Sequence, residues 1–150
     1  MRAVIQRVKA ASVTVDGAVM SRIGMGLCCL VGIESGDSPP DIDYLARKIC
    51  SIRIFDDENG VMNLDVSEVK GEILLISQFT LHGDARKGRR PSYSQAEAPQ
   101  AAREKFEGLV EKVKEIFPGR VETGKFQAMM DVSILNHGPV TILIDSKRLF

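Results

Sequence analysis

An excess of one charge is missing from this sequence: across its 150 residues, twenty Lys and Arg balance twenty Asp and Glu. That balance gives no support to a general nucleic-acid binder, so any RNA contact must come from a local patch. Long apolar runs are missing too. The apolar stretches are short and interrupted, which excludes a transmembrane helix. The opening M-R-A-V-I-Q-R-V reaches a second arginine at Arg7 and has no signal-peptide core. Cysteines are few and odd in number. Cys28, Cys29 and Cys50 supply neither a disulfide framework nor a metal-ligand spacing such as C-x-x-C. Cys28 and Cys29, in G-L-C-C-L-V-G, read as small core hydrophobes. No metal or other cofactor is expected, and a reducing cytoplasm is the expected home. Of histidines there are only His82 and His137, and neither lies in a recognisable triad pattern. No repeat, linker or low-complexity segment interrupts the chain.

What is present is a globular composition, 44% hydrophobic, long enough for one domain with a real core. The first thirty-three residues read as a β meander: Ala3 to Val8, Ala11 to Val15, Ala18 to Ile23 and Leu27 to Ile33. Asp16-Gly17 is the strongest hairpin signal among them. Ser38-Pro39-Pro40-Asp41 offers an N-cap and a proline-led first turn, and Ile42, Leu45, Ala46 and Ile49 repeat at helical spacing. A second helix is expected from near Glu97-Ala98-Pro99 to just before Pro118-Gly119, with Ala102, Phe106, Leu109, Val110, Val113 and Ile116 as its buried stripe. Residues 56 to 60, D-D-E-N-G, form a polar turn. Glu72 to Ser77, Val121 to Thr123, Met130 to Leu135 and Val140 to Ile144 read as further strands. Strands outnumber helices without regular alternation, so the class is α+β.

Three segments are too particular for packing alone. S-Q-F-T-L (77 to 81) follows the apolar strand G-E-I-L-L-I, and polar side chains at a strand end can line a pocket. Thr80 there is a nucleophile only if a base adjoins it; otherwise it binds substrate, or simply satisfies backbone. D-A-R-K-G-R-R-P-S-Y (84 to 93) gathers Arg86, Lys87, Arg89 and Arg90 in a loop broken by glycine and proline. Such a loop either binds phosphate or keeps the surface solvated. N-H-G-P-V-T (136 to 141) places Gly138-Pro139 before an apolar run. An X-Pro bond adopts cis at a cost of only ~0.5–1 kcal/mol, and glycine tolerates shapes that a β-carbon forbids. A fixed bend here can turn two carbonyl oxygens outward to receive a protonated amine; the plainer alternative is a strand-entry turn.

In combination, S-Q-F-T-L, K-G-R-R-P-S (87 to 92) and N-H-G-P-V-T resemble the D-aminoacyl-tRNA deacylases. The likeness runs from M-R-A-V-I-Q-R-V through T-G-K-F-Q-A-M-M (123 to 130) to the closing strand. The fold to expect is then one α+β domain over 1–150, layered β/β/α, with a curved, largely antiparallel or mixed sheet and two main helices. The resemblance implies hydrolysis of the ester joining a D-amino acid, or glycine mischarged on tRNA-Ala, to the 3′ end of tRNA. It implies a metal-free homodimer in which a cis Gly-Pro peptide reaches into the other subunit's pocket. Gly138 and Pro139 would be the chiral filter, Ser77, Gln78, Phe79 and Thr80 the pocket wall, Phe126 part of the adenosine site, and Arg7 a brace for the Gly-Pro loop. Arg86, Lys87, Arg89 and Arg90 would meet tRNA phosphates. Two residues depart from the family pattern: His137 stands where many members have an acid, and Gln127 where glycine is common. Both bear on the adenosine side and on local pH behaviour.

The chain offers no obvious general base, and the resemblance implies that the ribose 2′-hydroxyl assists hydrolysis. Backbone N–H groups at Phe79 and Thr80 are the expected oxyanion donors. The competing readings are a general esterase with Thr80 as nucleophile and a non-catalytic tRNA-binding module.

Overall fold

Strand β1 runs unbroken over Arg2–Val15 in the computed structural model, which describes residues 1 to 149, Pro139 by its backbone alone. The sequence pattern suggested two strands here, and the reason is a fault in alternation. Ala3 and Ile5 pack toward the helices, whereas Val8, Ala11, Val13 and Val15 share the opposite core. The pairing register slips between Val8 and Ala10, so the inward positions change from even to odd numbers there.

Asp16 and Gly17 both take positive φ, 51° and 80°, as a tight hairpin turn into β2 (Ala18–Ile23) requires. Strand β3 (Gly26–Gly32) is buried almost throughout. Helix α1 (Pro39–Ser51) begins as anticipated: Ser38 caps it, two prolines follow, and the Asp41 carboxylate accepts from the Ser38 N–H (2.9 Å) and hydroxyl (2.7 Å). The D-D-E-N-G turn joins a small hairpin, β4 (Phe55–Asp56) with β5 (Met62–Leu64). Strand β6 is Glu72–Ser77, α2 is Pro99–Ile116 and β7 is Val121–Thr123.

Ile116 does not belong to the buried stripe of α2. It is 40% exposed, and Phe117, 3% exposed, takes the inward place. At about 100° per residue, position 116 rotates off the centre of the stripe, and the chain leaves the helix with 117 turned in.

The last two expected strands are also one. Strand β8 covers Asp131–Asp145, straight through Gly138-Pro139. It pairs antiparallel with β1 along both halves, but Gln6 faces Thr141 and Val8 faces Asn136. Residues 137 to 140 therefore stand opposite Arg7 alone, as a wide bulge rather than a turn.

The sheet runs β2-β1-β3-β6-β7, with β8 on the other side of β1. β1 is antiparallel to β2, β3 and β8, while β3, β6 and β7 are parallel. The sheet is thus mixed, and it curls until β2 touches β6 and β7. A small core of Val8, Val13, Ile23, Cys28, Leu74 and Ile76 fills the curl. Both helices pack on the outer face over Leu27, Cys29, Ile73 and Leu75. The layers are β/β/α, and the class is α+β.

Leu109, fully buried in α2, tests this packing against exposed Ile116. Leu109→Ala is expected to lower stability by about 2–5 kcal/mol in urea unfolding, and Ile116→Ala by less than about 0.5 kcal/mol. Equal effects would contradict the stripe as described.

Candidate active site

Parallel strands present their carboxyl ends at one edge of a sheet, where open α/β folds place their ligands. Val31 of β3 pairs with Ser77 of β6, and Leu75 of β6 with Thr123 of β7. The segments after Ser77 and after Thr123 therefore leave the sheet side by side. Ile73 to Ile76 are buried, Ser77 and Gln78 half-buried, Thr80 exposed and Phe79 58% exposed. The Gln78 N–H donates to the Val31 carbonyl (2.7 Å), and the chain then tightens into a 3-10 turn, Phe79–His82, closed by Gly83 N–H to the Thr80 carbonyl (2.9 Å). Phe79 and Thr80 open that turn, so their N–H groups have no acceptor within it. The Gln78 side-chain amide donates to Thr80 Oγ1.

Across the edge, the Gly124 N–H donates to the Leu75 carbonyl (2.9 Å) and carries the chain to Phe126. That ring lies 6.2 Å from Phe106 and 5.1 Å from the Arg103 guanidinium. Gln127 takes φ 62°. Glycine is favoured in that left-handed conformation, so glutamine holds it at a cost.

The basic loop is fastened to the same edge. Reciprocal backbone bonds between Asp84 and Ser92 (2.8 and 2.9 Å) close it, and Tyr93 meets Phe79 edge to face at 5.2 Å. A β-carbon on Gly83 would lie 2.9 Å from the Tyr93 ring, so glycine permits this approach. Arg86 is engaged within the loop: its Nε and Nη2 donate to the Asp84 carboxylate (2.9 and 2.7 Å). Those side-chain bonds hold the Asp84 pKa down to about 2. Lys87, Arg89 and Arg90 are exposed and make no ion pair among the described residues.

Gly138 and Pro139 do not join this group within one chain. Arg7 faces Leu27, and Leu27 faces Ile73, so the bulge is level with Ile73, four residues before Ser77. Four residues of rise and three strand spacings put roughly 20 Å of sheet between the bulge and the edge at Ser77. What holds the bulge is Arg7, only 6% exposed. Its Nε donates to the His137 carbonyl (2.8 Å), and its Nη1 to the Ile54 carbonyl (2.7 Å) and to Asp56 (3.3 Å).

Among the described residues no imidazole hydrogen-bonds to Thr80. His82 is 1% exposed with neither ring nitrogen hydrogen-bonded, lying so close over Gly32 that a β-carbon there would approach its ring to 2.9 Å. Among the described residues no cluster of three His, Cys, Asp or Glu could hold a metal, and no helix is long and apolar enough to cross a membrane. Burial raises the Cys28 and Cys50 thiols to about 11 and also holds Cys29 well above its ordinary value, consistent with their packing role. Sequence reasoning missed Arg103, Tyr93 and Asp56, because a lone arginine, tyrosine or aspartate carries no spacing signal.

Burial depresses the His82 pKa below 6.5. The unfolded chain then takes the proton first, so stability is full above pH 6.5 and declines as pH falls toward the folded value. Thermal melting between pH 7 and 5.5 is expected to show this loss in the wild type and less of it in His82→Leu. Equal losses would contradict the assignment.

A family model described as D-Tyr-tRNA(Tyr) deacylase matches residues 4–145. D-aminoacyl-tRNA deacylases of Thermosipho africanus and Thermosipho melanesiensis are 53% and 49% identical over 150 residues, all of both chains in each case. A solved structure of a c-Myc DNA Unwinding Element Binding Protein superposes with TM-score 0.92 at 39% identity, over 97% of this chain and 98% of that one. A probable eukaryotic D-amino acid tRNA deacylase shares the fold at TM-score 0.80 and 17% identity, over 95% of this chain and 97% of that one. With that match over nearly its whole length, and with S-Q-F-T-L and the basic loop gathered at one sheet edge, the chain belongs to the D-Tyr-tRNA(Tyr) deacylase family.

Proposed function

We propose that this chain hydrolyses the ester of D-aminoacyl-tRNA and spares the L form, working as a homodimer whose sites each combine two chains. Family membership supports the hydrolase activity and the tRNA substrate. The observation that carries the rest is the separation of the Arg7-held bulge from the Ser77–Thr80 pocket in a single chain. A second copy brings Gly138 and Pro139 to the pocket. β8 suits that role: among the described residues it pairs with β1 alone and exposes Leu135 (59%) and Leu143 (57%). Beside it lies an apolar groove of about 400 Å³ lined by Ala11, Val19, Ile23, Ile134 and Leu135. A long exposed edge of this kind is a template for pairing.

In this reading the cis Gly138-Pro139 carbonyl oxygens receive the substrate ammonium group. A D side chain then points to open space, an L side chain meets backbone, and glycine passes, including glycine mischarged on tRNA-Ala. Exclusion by backbone is firmer than a preference from one hydrophobic contact, worth only ~1–3 kcal/mol. Phe126 faces the terminal adenosine, and Lys87, Arg89 and Arg90 face phosphates. Arg86, already engaged by Asp84, contributes less. The ribose 2′-hydroxyl positions and activates the water, while the Phe79 and Thr80 N–H groups stabilise the oxyanion. An amide from Gln78 donates to Thr80 Oγ1 and cannot act as its base, which weighs against the threonine esterase. Neutral net charge weighs against a binding module without catalysis.

The test is release of tyrosine from matched D- and L-tyrosyl-tRNA, with only the D form consumed. Equal hydrolysis of both would overturn the gate, and binding without hydrolysis would leave the binding module. Thr80→Ala should retain activity to within about tenfold, whereas removing a true nucleophile costs about 10⁴–10⁶. A D-tyrosyl-tRNA ending in 2′-deoxyadenosine should be resistant; brisk hydrolysis of it would return the chemistry to a protein group.

A further inference from the structure

We infer that Arg103 of α2 is a phosphate-binding residue for the 3′ strand of the tRNA substrate, resting on Phe126 until the RNA arrives. The inference rests on reading Phe126 as part of the adenosine site. Four cations lie on α2. Lys105 pairs with Glu97, Lys112 with Glu115 and Asp43, and Lys114 with Glu111. Arg103, the one at the pocket, makes no ion pair among the described residues. The neighbouring carboxylate of Glu104 accepts instead from Gln100 (2.9 Å).

Arg103 is exposed, and what holds it is weak. Its guanidinium lies 5.1 Å from the centre of the Phe126 ring, and Nη2 donates to Gln127 Oε1 over a long 3.4 Å. Gln127 supplies this contact from a left-handed backbone, φ 62°, a conformation that glycine adopts more readily. A glycine could not steady Arg103 by a side chain. The same ring is backed by Phe106, so a nucleobase approaching the open side of Phe126 meets the guanidinium first. A phosphate offers that fork two charge-assisted acceptors in place of a ring face and one long bond. As the phosphate takes Arg103, the ring face is uncovered for the base. The chain thereby gains a cation beside the adenosine wall.

The experiment compares D-tyrosyl-tRNA with D-tyrosyl-adenosine, which has the terminal nucleoside and no phosphate. In Arg103→Ala the ratio of KM for the RNA to KM for the nucleoside is expected to rise about tenfold, equivalent to 1.4 kcal/mol. The slope of log affinity for tRNA against log salt should fall by about one, and Arg103→Lys should keep the slope. An unchanged ratio and slope, or an equal shift for both substrates, would overturn the inference and make Arg103 a packing residue. Phe126→Ala reads the underlying assignment separately: it should raise KM for both substrates, and no change in either would remove Phe126 from the adenosine site.

Discussion

A buried guanidinium must find acceptors, and Arg7 finds them on two segments that sequence separates widely. Its hydrogen bonds to the Ile54 and His137 carbonyls and its contact with Asp56 join the β4–β5 hairpin to the bulge of β8. Removing the cation would leave two carbonyls without their charged partner in a largely dry setting, a costly outcome. The Gly-Pro segment therefore does not float as a loop. It is held against the centre of a fourteen-residue strand, where four residues of β8 are accommodated opposite one of β1. Rigidity of this kind is what the proposed backbone filter needs.

The other half of the candidate site follows from strand direction. Because β3, β6 and β7 run parallel, the polar residues after Ser77 and the Phe126 segment emerge at one edge. A core of fully buried Ile73, Leu74, Leu75 and Ile76 fixes their origin. The exposed 3-10 turn and the basic loop ride on that scaffold, linked through Phe79 and Tyr93. The candidate residues thus sit on connections whose positions are set by that buried core.

Much of the fold was legible where signals were local. Ser38 with two prolines marked α1, Asp16-Gly17 marked the first hairpin, and the stripe from Ala102 to Val113 marked α2. Legibility failed where register intervened. The slip after Val8 divided β1 in the pattern, and Gly138-Pro139 divided β8, because alternation cannot distinguish a bulge from an end. Ile116 and Phe117 differ only by their angle at a helix terminus. The candidate residues of 77 to 80 and Phe126 were legible as motifs, but their convergence depended on parallel pairing. The quenching of Arg86 by Asp84, the linkage of Arg7 to Ile54 and the cap of Arg103 on Phe126 are contacts in space without any sequence spacing to announce them.

Whether each site draws its pocket from one chain and its gate from another can be read by mixing two variants. One variant carries Gly138→Ala and Pro139→Ala and keeps its pocket; the other carries Gln78→Ala, Phe79→Ala and Thr80→Ala and keeps its Gly-Pro bulge. The two are exchanged at increasing excess of the second, and hydrolysis of D- and L-tyrosyl-tRNA is followed. With the second variant's own hydrolysis subtracted, preference for the D form is expected to rise with that excess, as intact pockets acquire intact gates from the second chain. A preference that stays at the value of the first variant alone, at every ratio and with exchange verified, would contradict the two-chain site.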